Sequence, residues 1–145
     1  LLDAAEDASS KKDHRKAASL YEKFAREFPK HPLFSAARLG QANQLALAGD
    51  GAAAQSLYLR IVTERPPDAF RTAAAVGLAR IQLQENRPEA ARQVLNDVLA
   101  ENNGSAFLPE ARAMLEKLPP PPGAAAPAPL PAAAGPTPVP QPPAK

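Results

Sequence analysis

The chain has 145 residues, 18 prolines, no cysteine and a net charge of +2 from 17 Lys+Arg against 15 Asp+Glu. The missing Cys excludes a disulfide framework, thiolate zinc sites and thiol catalysis, and the near-balance of charge gives no electrostatic case for nucleic acid. Twelve of the prolines fall in residues 119–145, which leaves about 118 residues to fold, the size of one domain.

Apolar spacing and turn punctuation predict helices over residues 1–11, 14–28, 33–48, 51–65, 69–85, 88–102 and 106–117. The first begins at Leu1 itself, so the chain reads as a fragment or processed form, which a signal or anchor could have preceded. Asp13 and Asp50 suit helix N-caps, and Gly49 suits the end of the helix before it. Pro29, Pro66 and Pro67 close units, Pro32 and Asp68 open new ones, and Pro88 fits the first turn of a helix. Ser105 is expected to cap the last helix, with Pro109 in its first turn. No run of 18 apolar residues offers a membrane span.

The helices repeat with a period of 37 residues. Ala17, Ala54 and Ala91 start the register. Four positions on stand Tyr21, Tyr58 and Leu95, and seven on stand Phe24, Ile61 and Val98. Leu20, Leu57 and Val94 share a column, as do Glu27, Glu64 and Glu101, and as do Pro29, Pro66 and Asn103. Ala5, Ala42 and Ala79 lie twelve positions before the first alanines, and Gly40 and Gly77 are in register. Each unit is therefore a helical hairpin whose two alanines let the backbones approach. Larger residues such as Tyr21, Tyr58, Phe24 and Ile61 fill the space between hairpins. No single unit buries its own face, so the units stack into one core.

The expected fold is all-α: an α-α superhelical solenoid of three hairpins plus a C-terminal capping helix. The units span residues 1–31, 32–67 and 68–104, with the cap at 105–118. The tail, residues 119–145, carries 12 Pro, 8 Ala and one charge, Lys145. It is expected to be disordered, extended and polyproline-like, a spacer reaching roughly 80 Å at about 3.1 Å per residue.

The columns of small residue, second-helix Ala, aromatic and closing Pro (Ala42, Ala54, Tyr58 and Pro66, with their equivalents in unit one) resemble the tetratricopeptide repeat. The resemblance covers residues 1 to about 118. It departs from the family's usual 34-residue unit by three residues, and in unit three Leu95 and Asn103 replace the aromatic and the Pro. The unit ends Ala25–Pro32 and Thr63–Ala69 resemble bacterial envelope members: outer-membrane assembly lipoproteins, the periplasmic cell-division coordinator and the ancillary subunit of the secretion translocon.

The resemblance implies a protein-binding groove lined by the first helix of each unit. Its positions are Leu2, Asp3 and Glu6, then Ala36, Leu39, Gly40, Asn43 and Leu47, then Ala73, Val76, Gly77, Arg80 and Gln84. The residues expected to hold a partner are Glu6, Leu39, Gly40, Asn43, Leu47, Val76, Gly77, Arg80 and Gln84. Glu6, Asn43 and Arg80 form a polar column, Leu39 and Val76 supply apolar contact, and Gly40 and Gly77 leave a strip where a ligand backbone could approach, or else permit tight helix packing. The co-chaperone groove that clamps a terminal carboxylate is not reproduced, because its positions here hold Leu2, Glu6, Gly40, Ala73 and Gly77.

No catalytic pattern is present. His14 and His31 stand apart and read as surface residues near helix ends, six serines are scattered, and Gly49–Gly51 lacks the Lys and hydroxyl of a phosphate loop. The basic run Lys11, Lys12, Arg15 and Lys16 is interleaved with Asp3, Glu6, Asp7 and Asp13 and reads as a solvated face. The expected function is a non-catalytic scaffold without cofactor or metal, binding an extended or helical protein segment in envelope assembly or secretion, in the periplasm or cell envelope. The alternatives are an interaction module of a larger enzyme or regulator, or a cytoplasmic assembly scaffold. Self-association through apolar surface at Leu1 is a further option.

Overall fold

The computed structural model describes residues 1–64, 68–101, 104–123 and 143. Pro66, Pro67, Asn103 and most of the tail, expected above to close units two and three and to form a disordered spacer, lie outside the described residues. Among the described residues there are seven helices and no strand: α1 (Leu2–Ser10), α2 (His14–Glu27), α3 (Phe34–Leu47), α4 (Gly51–Glu64), α5 (Asp68–Gln84), α6 (Pro88–Glu101) and α7 (Leu108–Glu116). Each helix packs on the next, and α3 also touches α5, as α5 touches α7. No comparable contact joins α2 to α4 or α4 to α6. From α3 onward the first helices therefore touch one another in an inner layer, while the second helices are splayed outside it, the architecture of an α-α solenoid.

The turn inside each hairpin is one motif repeated in register. Lys12, Gly49 and Asn86, spaced by 37, all have positive φ, at 59, 82 and 58°. The N–H of each bonds the carbonyl three residues back, on Ser9, Ala46 and Leu83. The next N–H, of Asp13, Asp50 and Arg87, bonds the carbonyl five back, on Ala8, Leu45 and Gln82, at 2.9, 2.9 and 2.8 Å. These paired bonds are the Schellman ending, which satisfies orphan carbonyls through one left-handed residue. Glycine takes that conformation freely, whereas Lys12 bears a steric cost. Asp13 and Asp50 then cap the following helices through Lys16 N–H and Ala53 N–H, each at 3.2 Å. In the third hairpin Pro88 occupies the first helical position instead.

The small-residue columns lie at the centre of the hairpins. Ala5, Ala17, Ala42, Ala54, Ala79 and Ala91 are all 0% exposed. One apolar cluster joins Ala42, Ala54, Tyr58, Ile61, Ala74, Leu78 and Ile81, and a second joins Ala75, Val76, Ala79, Ala91, Leu95, Val98 and Ala111. Partly buried Met114, Leu115 and Leu118 of α7 and its exit cover the second cluster. Two arginines brace the hairpins: Arg38 on α3 pairs with Glu64 of α4, and Arg71 on α5 pairs with Glu101 of α6. Arg71 Nε also donates to the Val62 carbonyl at 3.1 Å, tying the third hairpin to the second. The hydrogen bond from Arg38 holds the Glu64 carboxyl below the usual carboxylate range.

Two expectations are corrected, those for Ser105 and His14, while His31 is exposed as expected. Ser105 is not the cap of α7, which begins after Phe107; Ser105 Oγ accepts from Phe107 N–H at 3.3 Å in the turn just before it. His14 is half-buried rather than a surface residue. Gln44 Nε2 donates to Ser9 Oγ and Gln44 Oε1 faces His14 Nδ1, both at 2.8 Å, so His14 Nδ1 carries the proton and α1, α2 and α3 are laced together. His31 packs edge-on against Phe24 with ring centroids 5.2 Å apart, and its Nδ1 accepts from Leu33 N–H.

Candidate functional site

The inner layer of first helices positions the groove residues, and the spacing of Asn43 and Leu47 on α3 and of Gly77, Arg80 and Gln84 on α5 puts each set on one helix face. These five line a single cavity of about 460 Å³ between α3 and α5. Tyr58, Ile81, Gln44 and Ala46 complete it. Leu47 stands at the rim, 62% exposed, and Asn43, Arg80 and Gln84 are exposed beside it.

The other four expected residues are not in this cavity. Val76 is buried among Ala75, Ala79, Leu95 and Ala111, because α7 closes over that end of α5. It gives core packing rather than contact area for a ligand. Leu39 is half-buried and packs against the cluster around Tyr58 and Ile61. Glu6 lies near Tyr21, whose phenol is raised by burial and then by the Glu6 charge. Gly40 faces Tyr21: a Cβ there would sit 3.0 Å from the ring.

The glycine strip is thus not open to a ligand backbone. A Cβ on Gly77 would lie 2.5 Å from Tyr58 Cζ, inside contact distance. The bare backbone of each first helix receives the tyrosine of the preceding hairpin. Tyr58 then crosses beneath the cavity, and its Oη donates to Asn43 Oδ1 at 2.6 Å. Burial pushes the Tyr58 phenol up to about 12, with the Arg80 charge pulling the other way. Neutral Tyr58 therefore orients the Asn43 amide, leaving the Nδ2 donors toward the cavity.

Arg80 is not a free cation. Its Nη2 pairs with Glu110 on α7, and both side chains are well exposed. A carboxylate arriving in the cavity would compete with Glu110 for the same guanidinium. The site offers two side-chain amides, one guanidinium and one exposed leucine above an apolar floor. That set can hydrogen-bond a peptide backbone and seat an apolar side chain, but holds no paired general acid and base. Among the described residues no group of three or more His, Asp or Glu is placed to hold a metal ion, and no helix is long and apolar enough to cross a membrane. Tyr58 and Ile81 were missed as site residues in the sequence reading. The signal for Tyr58 was available, because its column stands nineteen positions before the glycines.

A family of tetratricopeptide repeat-like domains matches residues 1–111, from α1 into α7. No curated protein and no solved structure gives a significant match.

Proposed function

The chain belongs to the tetratricopeptide repeat-like family, whose domains mediate protein–protein interaction and are typically non-catalytic scaffolds, and on that premise we propose that the α3–α5 cavity holds a segment of a protein partner. One observation carries the reading: Asn43, Leu47, Gly77, Arg80 and Gln84 converge on one cavity of about 460 Å³ with a large apolar residue exposed at its rim. Leu47 and Ile81 receive an apolar side chain, while Asn43 and Gln84 orient the segment through their amides. A partner carboxylate takes Arg80 from Glu110, which selects acidic over basic segments. The scaffold is rigid in this scheme, held by the Arg38–Glu64 and Arg71–Glu101 pairs.

We place this activity in the bacterial envelope on the unit ends Ala25–Pro32 and Thr63–Ala69. Fractionation of source cells checks that placement, and recovery in the cytoplasm would reject it. The binding site is tested by selecting peptides from a displayed random library with the intact chain. Leu47→Asp is expected to abolish the selected binding, and Arg80→Glu to invert the preference for acidic peptides. Peptides that bind both variants as tightly as the parent would sink the proposal.

A further inference from the structure

The splayed outer layer leaves a cleft between successive second helices, and the 37-residue register allows two of them to be compared position by position. The corresponding depression on α2 and α3, ending at Asp50 just before α4, encloses about 200 Å³ and is lined in part by Glu22, Gln41 and Leu45. The cleft between α4 and α6 encloses about 660 Å³, and in the same places stand Leu59, Leu78 and Gln82. A charged rim residue has become Leu59, which is 50% exposed. A leucine in the cleft has become Gln82, only 7% exposed, whose Oε1 meets no hydrogen-bond partner. A buried acceptor left unpaired is costly, and an ordinary solenoid contact would keep leucine there. The second cleft is larger, more apolar at its rim, and carries an acceptor awaiting a donor.

What fills it is indicated by where the chain leaves the last helix. Arg92 Nη2, on the outer face of α6, donates to the Pro119 carbonyl. The chain turns at Gly123, whose φ is +99°. Beside Arg92 a shallow depression on α6 is bordered by Gln93 and Asp97, and both residues also line the α4–α6 cleft. The exit of the tail and the cleft are thus continuous across α6. Twenty-two residues follow Gly123. At about 3.1 Å per residue in extended form they reach far beyond the 8–10 Å that separates packed helices.

We infer that the α4–α6 cleft is the seat of this chain's own tail, residues 124–131, bound in cis. The chemistry matches. The tail has one charge in 27 residues, at Lys145, and the cleft is mostly apolar and amide in lining, with Arg87 and Asp97 its ionisable residues. Gln82 Oε1 is an unpaired acceptor that a backbone N–H can satisfy, and the tail sequence opens with the N–H groups of Ala124, Ala125 and Ala126. The cleft itself offers the Gln93 amide and the Ser56 hydroxyl as donors for prolyl carbonyls, and Leu59 and Val62 as apolar surface. The cleft faces away from the α3–α5 cavity, so tail docking and partner binding stand or fall separately.

The chain has no Cys, so Ala133→Cys gives one site for a nitroxide label in the full-length protein. Amide NMR lines should broaden selectively at Leu59, Ala90 and Gln93, not at Leu47 or Arg80, and the broadening should persist on dilution. Leu59→Glu, which copies Glu22 of the first cleft, should return those lines to their unlabelled intensity while distant shifts stay unchanged, showing that the fold is kept. Absence of selective broadening would overturn the inference. So would broadening that fades on dilution, which marks the tail of a second copy, or broadening that survives Leu59→Glu.

Discussion

Between the first and second hairpins the ring of Tyr21 lies on Gly40, and between the second and third Tyr58 lies on Gly77. At the terminal interface the same two positions hold Leu95 and Met114, and Met114 packs against the cluster that contains Leu95. A large ring against a bare backbone has been exchanged for two aliphatic chains of middling size. In each solution one side chain occupies the space its partner leaves, so changing either residue alone is expected to destabilise the interface. The glycines are therefore part of the interhelical packing. The ring of Tyr58 also carries a hydroxyl, which fixes Asn43 at the inner cavity.

The largest expected effect comes from emptying the terminal interface. Leu95 is 0% exposed, so Leu95→Ala should cost about 2–5 kcal/mol in denaturant unfolding. A loss under about 1 kcal/mol would mean that α7 is not a true part of the stack.

Next come the overpacking variants. Gly77→Ala should cost about 1–3 kcal/mol, and Gly40→Ala less, because its neighbour is half-buried and at 3.0 Å rather than 2.5 Å. Leu95→Tyr should likewise destabilise, and Met114→Gly in the same chain should recover part of the loss. A double-mutant coupling of about 0.5–3 kcal/mol would express the exchange of one solution for the other. Strict additivity would separate the two positions.

A smaller effect is expected at the turns. Lys12→Gly should raise stability by up to about 1 kcal/mol by removing left-handed strain, whereas Gly49→Ala, at φ +82°, should lower it by a similar amount.

The last prediction concerns charge. Tyr58 has its folded phenol raised to about 12 by burial. The unfolded chain releases that proton near 10, so stability should be intact below pH 10 and fall as pH rises toward 12. Ultraviolet phenolate absorbance, clean in a chain without tryptophan, should show both tyrosines titrating above 10, with Tyr58 the later. On the acid side, Glu64 has its folded value lowered by Arg38. Its contribution should therefore be lost as pH falls, and Glu64→Gln should flatten that part of the profile.

The helices were legible in the sequence because their period, alanine columns and caps agree. Each described helix falls within two residues of its expected bounds. The left-handed turns at Lys12 and Asn86 were overlooked because neither is glycine, although both stand in register with Gly49. Val76 was misplaced because its burial depends on how far α7 lies over α5, a tertiary matter that helical periodicity does not encode. The glycine columns were visible, but which neighbour enters them follows from hairpin stacking. The outer cleft was readable in principle from Leu59 against Glu22 and Gln82 against Leu45. A comparison restricted to shared columns passes over the positions that differ.

The central claim is that the inner face between α3 and α5 is the binding surface. It is tested most directly by NMR titration of the full chain with a peptide selected on it. Shift changes should centre on Asn43, Leu47, Arg80 and Gln84, with loss of the Arg80–Glu110 pairing visible at Glu110. Changes centred instead on Leu59, Gln82 and Gln93 of the outer cleft would contradict the account.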